Sequence, residues 1–234
     1  MKKILLCVLG FMILVSSSAF AVDVTVGVST WYAWWKFRSS DEDSSVKTDP
    51  GFLYGPALAI KFNDDFNLTG VFLYGKFNGK ESDEYNLDYM RMDSDVALNY
   101  RLNDYLKIFA GIKYMRYTSS EVELEHSGLG PGIGISAAYP IADSLFLLAT
   151  LSGFYLWGNE EYIDDYFSKT KVDYGYKEYG INTTLALAYY IPSISTVISL
   201  GGRYQQIKGV YDDVDDTKET SKFYGITLTV TYTF

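Results

Sequence analysis

Two carboxylates one residue apart, Asp93 and Asp95, and a single histidine, His126, flanked by Glu125 and Ser127, are the side chains here whose types and spacing could do chemistry. Paired carboxylates can share a proton or activate water. A histidine beside a carboxylate or hydroxyl can serve as a general base. Both chemistries need their side chains on one face. Asp93 and Asp95 meet that condition if their segment is extended, because residues two apart share a strand face. His126 and its neighbours do not, since adjacent residues of a strand point opposite ways. His126 in its acidic stretch is therefore expected to be a solvated loop residue, and no catalytic residue is assigned. The sole cysteine, Cys7, lies in the N-terminal apolar run, which excludes a disulfide framework, a cysteine metal site and a thiol nucleophile in the rest of the chain.

The elements that would position these groups are strands. Tyr224, Ile226, Leu228, Val230, Tyr232 and Phe234 fall on one parity, while Phe223, Gly225, Thr227, Thr229, Thr231 and Thr233 fall on the other. The same split recurs with Phe52 to Phe62, Leu106 to Tyr114 and Tyr179 to Ile191. Each apolar face carries aromatics near its ends and aliphatics between, the profile of a strand crossing lipid between two aromatic girdles. Short turns at 63–65, 102–104, 141–144 and 192–195 alternate with long charged connections near 38–51, 77–87, 119–127, 159–177 and 209–221. That spacing predicts ten strands, near 23–37, 52–62, 66–76, 88–101, 105–118, 128–140, 145–158, 178–191, 196–208 and 222–234. Four returning strands open with a bulky apolar residue and Gly: Tyr54-Gly55, Leu129-Gly130, Tyr179-Gly180 and Tyr224-Gly225. The expected fold is all-β, a transmembrane antiparallel up-and-down β-barrel with short periplasmic turns and long acidic outer loops.

On that scaffold the inward parity collects Lys61, Arg91, Asp93, Asp95, Lys107, Lys113 and Arg203 as a lumen charge network. Centring the hairpin on Asn103 sets Asp93 directly across from Lys113, with Asp95 diagonal and Asn99 opposite Lys107. The network reads as a packed polar core, or as the constriction of a narrow pore. Trp31 and Trp35 face inward near the lumen mouth and are expected to cap it, whereas Tyr32 and Trp34 face lipid. The outer acidic clusters suit weak divalent cations at most, with Asp212, Asp213, Asp215 and Asp216 as the weak candidates. No cofactor is expected.

Residues 1–21 read as a signal peptide: Lys2 and Lys3, an apolar run from Ile4 to Val15, and the small-x-small site Ala19-Phe20-Ala21. The barrel then occupies 22–234, and losing the two lysines takes the formal net charge from −9 to −11. So acidic a chain excludes nucleic acid as a partner. Its 22 tyrosines suit a membrane–water interface.

With these features and a terminal Phe234 preceded by Tyr232, the chain resembles the small Gram-negative outer-membrane β-barrel proteins. The resemblance covers 22–234 at the level of architecture. It implies location in the cell outer membrane, contact with outer-membrane lipid and lipopolysaccharide, and recognition of the last strand by the barrel-assembly machinery. Among ten-stranded relatives, the omptin surface proteases carry an Asp pair and an Asp–His pair near the outer rim. Asp93-x-Asp95 copies the first spacing but lies too deep, and no Asp stands two residues before His126. The function expected is a structural or surface-interaction role through the loops around a mostly plugged lumen. A narrow channel for small solutes and a membrane-embedded hydrolase at the outer rim are the alternatives, with an enzyme the less favoured.

Overall fold

The computed structural model describes residues 22–39, 45–80, 86–119, 124–165, 170–211 and 218–234. Period-2 alternation with Thr, Tyr, Val and Ile favours extended backbone, and a sheet apolar on its outer face leaves every edge to be paired. The chain answers with β1 (Asp23–Ser39), β2 (Ser45–Thr48), β3 (Gly51–Lys61), β4 (Phe66–Lys80), β5 (Asn86–Arg101) and β6 (Leu106–Ser119). β7 (Leu124–Ala142), β8 (Leu145–Asp165), β9 (Thr170–Ile191), β10 (Thr196–Tyr211) and β11 (Lys218–Thr233) follow. Apart from the short β2, which pairs with β1 and β4 at the outer end, ten antiparallel strands form a closed cylinder. β11 seals it against β1 from Thr25↔Thr233 to Ser39↔Glu219. No helix among the described residues is long and apolar enough to cross a membrane.

The outward parity is a band of exposed aliphatics, including Val96, Leu98, Ile112, Ile133, Ile135, Leu185 and Leu200. A water-exposed patch of that kind would be an aggregation liability, and a bilayer removes the problem. Tyr32, Phe52, Tyr54, Tyr155, Trp157 and Tyr179 bound the band on one side, and Phe66, Tyr100, Tyr105, Tyr139 and Tyr189 on the other.

Two short turns share one device. The Asn63 carboxamide oxygen accepts the backbone N–H groups of Asp65 and Phe66, and Asn103 does the same for Tyr105 and Leu106. This turn is wider than a hairpin centred on Asn103. It shifts the β5–β6 register by two, so Arg101 faces Lys107, Asn99 faces Phe109, Asp95 faces Lys113, and Asp93 faces Met115. The expected direct and diagonal partners of Lys113 are therefore exchanged. The segments read as loops at 119–127 and 159–177 are also largely strand, through the starts of β7 and β9 and the end of β8. Their polar outward residues belong to barrel wall standing above the membrane. Asp212, Asp213, Asp215 and Asp216 lie outside the described residues.

The four apolar-Gly openings have a common cause. A Cβ on Gly55, Gly130, Gly180 or Gly225 would run into the backbone carbonyl of Phe72, Tyr155, Gln206 or Tyr32 on the neighbouring strand. At Gly55-Pro56 and Gly130-Pro131 the ladder to the next strand also lapses, between Tyr54↔Tyr74 and Ala57↔Val71 and between Leu129↔Trp157 and Gly132↔Phe154. Proline has no N–H to donate there. Gly225→Ala is expected to cost about 1–3 kcal/mol, the usual range for overpacking, read as a lower urea midpoint of the refolded barrel. A midpoint equal to that of the unsubstituted protein would show that the wall can yield at this point.

Candidate functional site

Inward residues of β5, β6 and β10 converge where the cylinder is most crowded. Arg91, fully buried, donates through Nη2 to Asp93 Oδ2 at 2.6 Å and to the Gln205 side-chain oxygen. Lys113 Nζ donates to Asp93 Oδ1 at 2.7 Å and to Asp95 Oδ2 at 3.0 Å. Arg203 Nη2 lies 3.5 Å from Asp93 Oδ1 and 3.7 Å from Asp95 Oδ2, and its Nε donates to Asn182 Oδ1 at 2.9 Å. Three cations thus share two carboxylates. Removing ions from water is costly, and such a cluster holds only when its geometry returns the lost hydration. Here Asp93 meets Arg91, Lys113 and Arg203 together.

The sequence placed seven charges on the inward parity, and five of them meet. Lys61 instead sits at the short-turn end with Asp23 at 3.9 Å and Asp64 at 2.9 Å. Lys107 stands opposite Arg101 beside the 102–105 turn. Gln205 and Asn182, which complete the network, were not singled out, although both share the inward parity of Arg203 and its cross-strand partner Thr184.

Directly above the ions is a layer of rings. Trp35 stacks on Phe223 at 5.4 Å and on Tyr117 at 5.8 Å, and packs edge-on against Phe77 at 5.9 Å. The Arg91 guanidinium lies 3.7 Å from the Phe223 centroid, and that of Arg203 lies 4.3 Å from Trp31. Leu53, Leu73, Met115, Leu156 and Ile207 fill the space between. Trp31 and Trp35 are thus buried parts of the filling. Below the ions, toward the short-turn end, a cavity of about 330 Å³ remains among Asp95, Asn99, Lys113, Ser136, Thr150 and Asn182.

At the outer rim the structure overturns the reading of His126. It lies in β7 on the inward parity and is buried. Its outward neighbours are polar Glu125 and Ser127, which puts it above the lipid-facing band. In the protonated form Nδ1 donates to Glu160 Oε2 at 2.8 Å, and Nε2 donates to Glu178 Oε1 at 3.2 Å. Tyr176 stacks on the ring at 4.0 Å, and Tyr211 Oη donates to Glu160 Oε2 at 3.1 Å. Burial alone would lower the histidine pKa, but the two carboxylate hydrogen bonds and charges outweigh it and raise the pKa to about 9. Glu219, buried close to Glu160, is raised to about 7. Burial and nearby carboxylates push the Tyr176 and Tyr211 hydroxyls up. Sequence neighbours gave no hint of this because the carboxylates come from β8 and β9, 34 and 52 residues away. The arrangement holds a proton: both imidazole nitrogens are engaged by carboxylates. Among the described residues no group of three or more His, Cys, Asp or Glu could hold a metal ion.

The fold is similar to that of the outer membrane protease OmpT from Escherichia coli, with a TM-score of 0.65 at 12% identity over 91% of this chain and 97% of that one. The translocator domain of the autotransporter NalP from Neisseria meningitidis is similar at 10% identity, with a TM-score of 0.44, over 100% of this chain and 97% of that one. Neisserial surface protein A matches at 12% identity and a TM-score of 0.39, over 88% of this chain and 96% of that one. No curated protein matches. Residues 4–152 match the outer membrane protein β-barrel domain family, so the chain, closed into ten antiparallel strands with an apolar outer face, belongs to that outer-membrane family.

Proposed function

We propose that this protein is a plugged outer-membrane barrel that acts at the cell surface, through its rim and outer connections, and does not pass solutes. The observation that carries the reading is the filled cross-section of the outer half. Trp31, Arg91, Asp93, Met115, Gln205 and Phe223 are all 0–1% exposed there. Narrow barrels are filled by side chains, whereas an aqueous channel needs many more strands. The rim favours the same reading over a hydrolase, because His126 is clamped as a cation between two carboxylates.

The cavity below the ions is the feature that favours the second reading, a narrow channel. Conductance of the refolded barrel in a planar bilayer separates the two. The unsubstituted protein is expected to be silent, and a variant with Trp35→Ala and Phe223→Ala to show steady single-channel steps. Steps from the unsubstituted protein that change with Lys113→Ala would overturn the plugged reading and make the ion cluster a selectivity filter.

A further inference from the structure

The well beneath the ion cluster is bracketed by two lysines of one strand. Lys113 lines its roof with Asp95 and Asn182, and Arg203 stands beside them, 3.7 Å from Asp95 and bonded to Asn182. Lys107 lies nearer the short turns on the same β6, about 20 Å along the strand from Lys113. Phe109 and Gly111, the inward residues between the two lysines, both line the cavity. At the level of Lys107 the wall turns to hydroxyls. Lys107 faces Ser136 on β7, and Ser136 faces Thr150 on β8. Both hydroxyl residues line the cavity and are half-buried.

The charges of the well do not cancel. Among the described residues Arg91, Lys113 and Arg203 pair with Asp93 and Asp95 alone, which leaves the cluster one positive charge in excess. At the short-turn end Arg101 reaches Asp65 at 3.6 Å and Asp104 at 3.7 Å. Lys107, directly opposite Arg101, pairs with no carboxylate among the described residues. Like charges so opposed repel. A second positive charge is therefore unmatched, in a chain with 29 acidic residues against 20 basic ones. Asp95 is the one described carboxylate that lines the cavity, and Lys113 at 3.0 Å and Arg203 already neutralise it. A cleft with an excess of one sign and low-dielectric walls concentrates ions of the other sign. The 330 Å³ available lies at the lower end of the roughly 300–1,000 Å³ of small-molecule sites, so the counter-ion is a small solute. The hydroxyls of Ser136 and Thr150 and the carboxamides of Asn99 and Asn182 suit one that carries hydroxyls of its own.

We propose that the well binds a small hydroxylated oxyanion, a carboxylate or a phosphate, entering from the short-turn end, with its charged group between Lys107 and the ion cluster and its hydroxyls on Ser136, Thr150 and Asp95. The site goes beyond the surface role and is read from binding, not from current, so it stands whether or not the lumen conducts. The test is isothermal titration calorimetry of the refolded barrel in a non-ionic detergent. The titrants are glycerate and glycerol phosphate, with glycerol and choline as neutral and cationic controls. At least one anion should bind saturably, and the tighter of the two identifies the charged group. Glycerol and choline should give no saturable heat. Lys107→Gln should weaken the anion about tenfold, the loss of one charge-assisted hydrogen bond. Asp95→Asn should tighten it, by removing the carboxylate that faces the well. Lys36→Gln with Lys222→Gln, two lysines that face each other on the outer wall, should change nothing. Binding of neither anion, or of glycerol or choline as tightly as the anions, would overturn the site. So would an affinity unmoved by Lys107→Gln, one weakened by Asp95→Asn, or an outer-wall double variant that loses as much as Lys107→Gln. The comparison of solutes uses unsubstituted protein and does not depend on any variant folding.

Discussion

Asp93→Ala should lower the unfolding free energy of the refolded barrel by about 3–5 kcal/mol, the range for breaking a buried ion pair from one side. The loss is large because one carboxylate serves three cations, and Asp93 is 1% exposed. With it gone, Arg91 stays buried against Phe223 and Tyr117 without the carboxylate that paired with it, while Lys113 keeps Asp95. Asp95→Ala makes the informative contrast. Its side chain is 42% exposed toward the cavity, so removing it should cost under about 1 kcal/mol. Replacing Arg91 and Asp93 together by Met and Leu should recover much of the single-variant loss, because the desolvation cost leaves with the charges. Urea titration in lipid vesicles, followed by tryptophan fluorescence, measures all three. Asp93→Ala within about 0.5 kcal/mol of the unsubstituted protein, below the usual effect of a buried-site change, would mean that the ions are solvated.

The rim should be more stable at low pH than at high pH. The His126 value near 9 lies above the unfolded value of 6.5, so its contribution is complete below about 6.5 and is lost as pH rises through 9. The Glu219 value near 7 lies above 4.5, and its contribution is likewise present at low pH and lost as pH rises through 7. Both slopes have the same sign, so stability should fall between about pH 5 and pH 9. The histidine part amounts to about 3 kcal/mol. The groups facing the ring are Tyr117 from β6, Glu160 from β8, Tyr176 and Glu178 from β9, with Tyr211 and Glu219 completing the cluster from β10 and β11. His126→Gln should flatten the profile above about pH 8, as read from urea midpoints across the range. A profile that keeps its full fall after this substitution would assign the effect elsewhere.

Alternation along single strands made the barrel legible. Outward Ile, Leu and Val framed by Tyr and Trp fix which face meets lipid, and the inward direction of Arg91, Asp93, Asp95, Lys113 and Arg203 follows from parity. What parity lacks is height. The side chains of Arg91 and Lys107 share a direction, yet one is walled in by rings and the other stands beside a turn. Placing them requires the registers, and those depend on turn width: two extra residues around Asn103 exchanged the partners of Lys113. The rim site failed to appear for a related reason. His126, Glu160 and Glu178 meet only because β7, β8 and β9 continue above the membrane, where polar composition reads as loop. Lys36 and Lys222, too, are brought together only by the first and last strands closing the cylinder.

That the lumen is filled on its outer half and hollow on its inner half makes it a blind well. On the proposed reading, the rim carboxylates belong to the chemistry of the cell's surroundings. Asp95, below the rings, faces the well. On the proposed plugged reading, a change of pH or ionic strength outside acts on His126 while leaving the well as it was, and the layer of Trp35 and Phe223 is the boundary where one compartment's conditions stop and the other's begin.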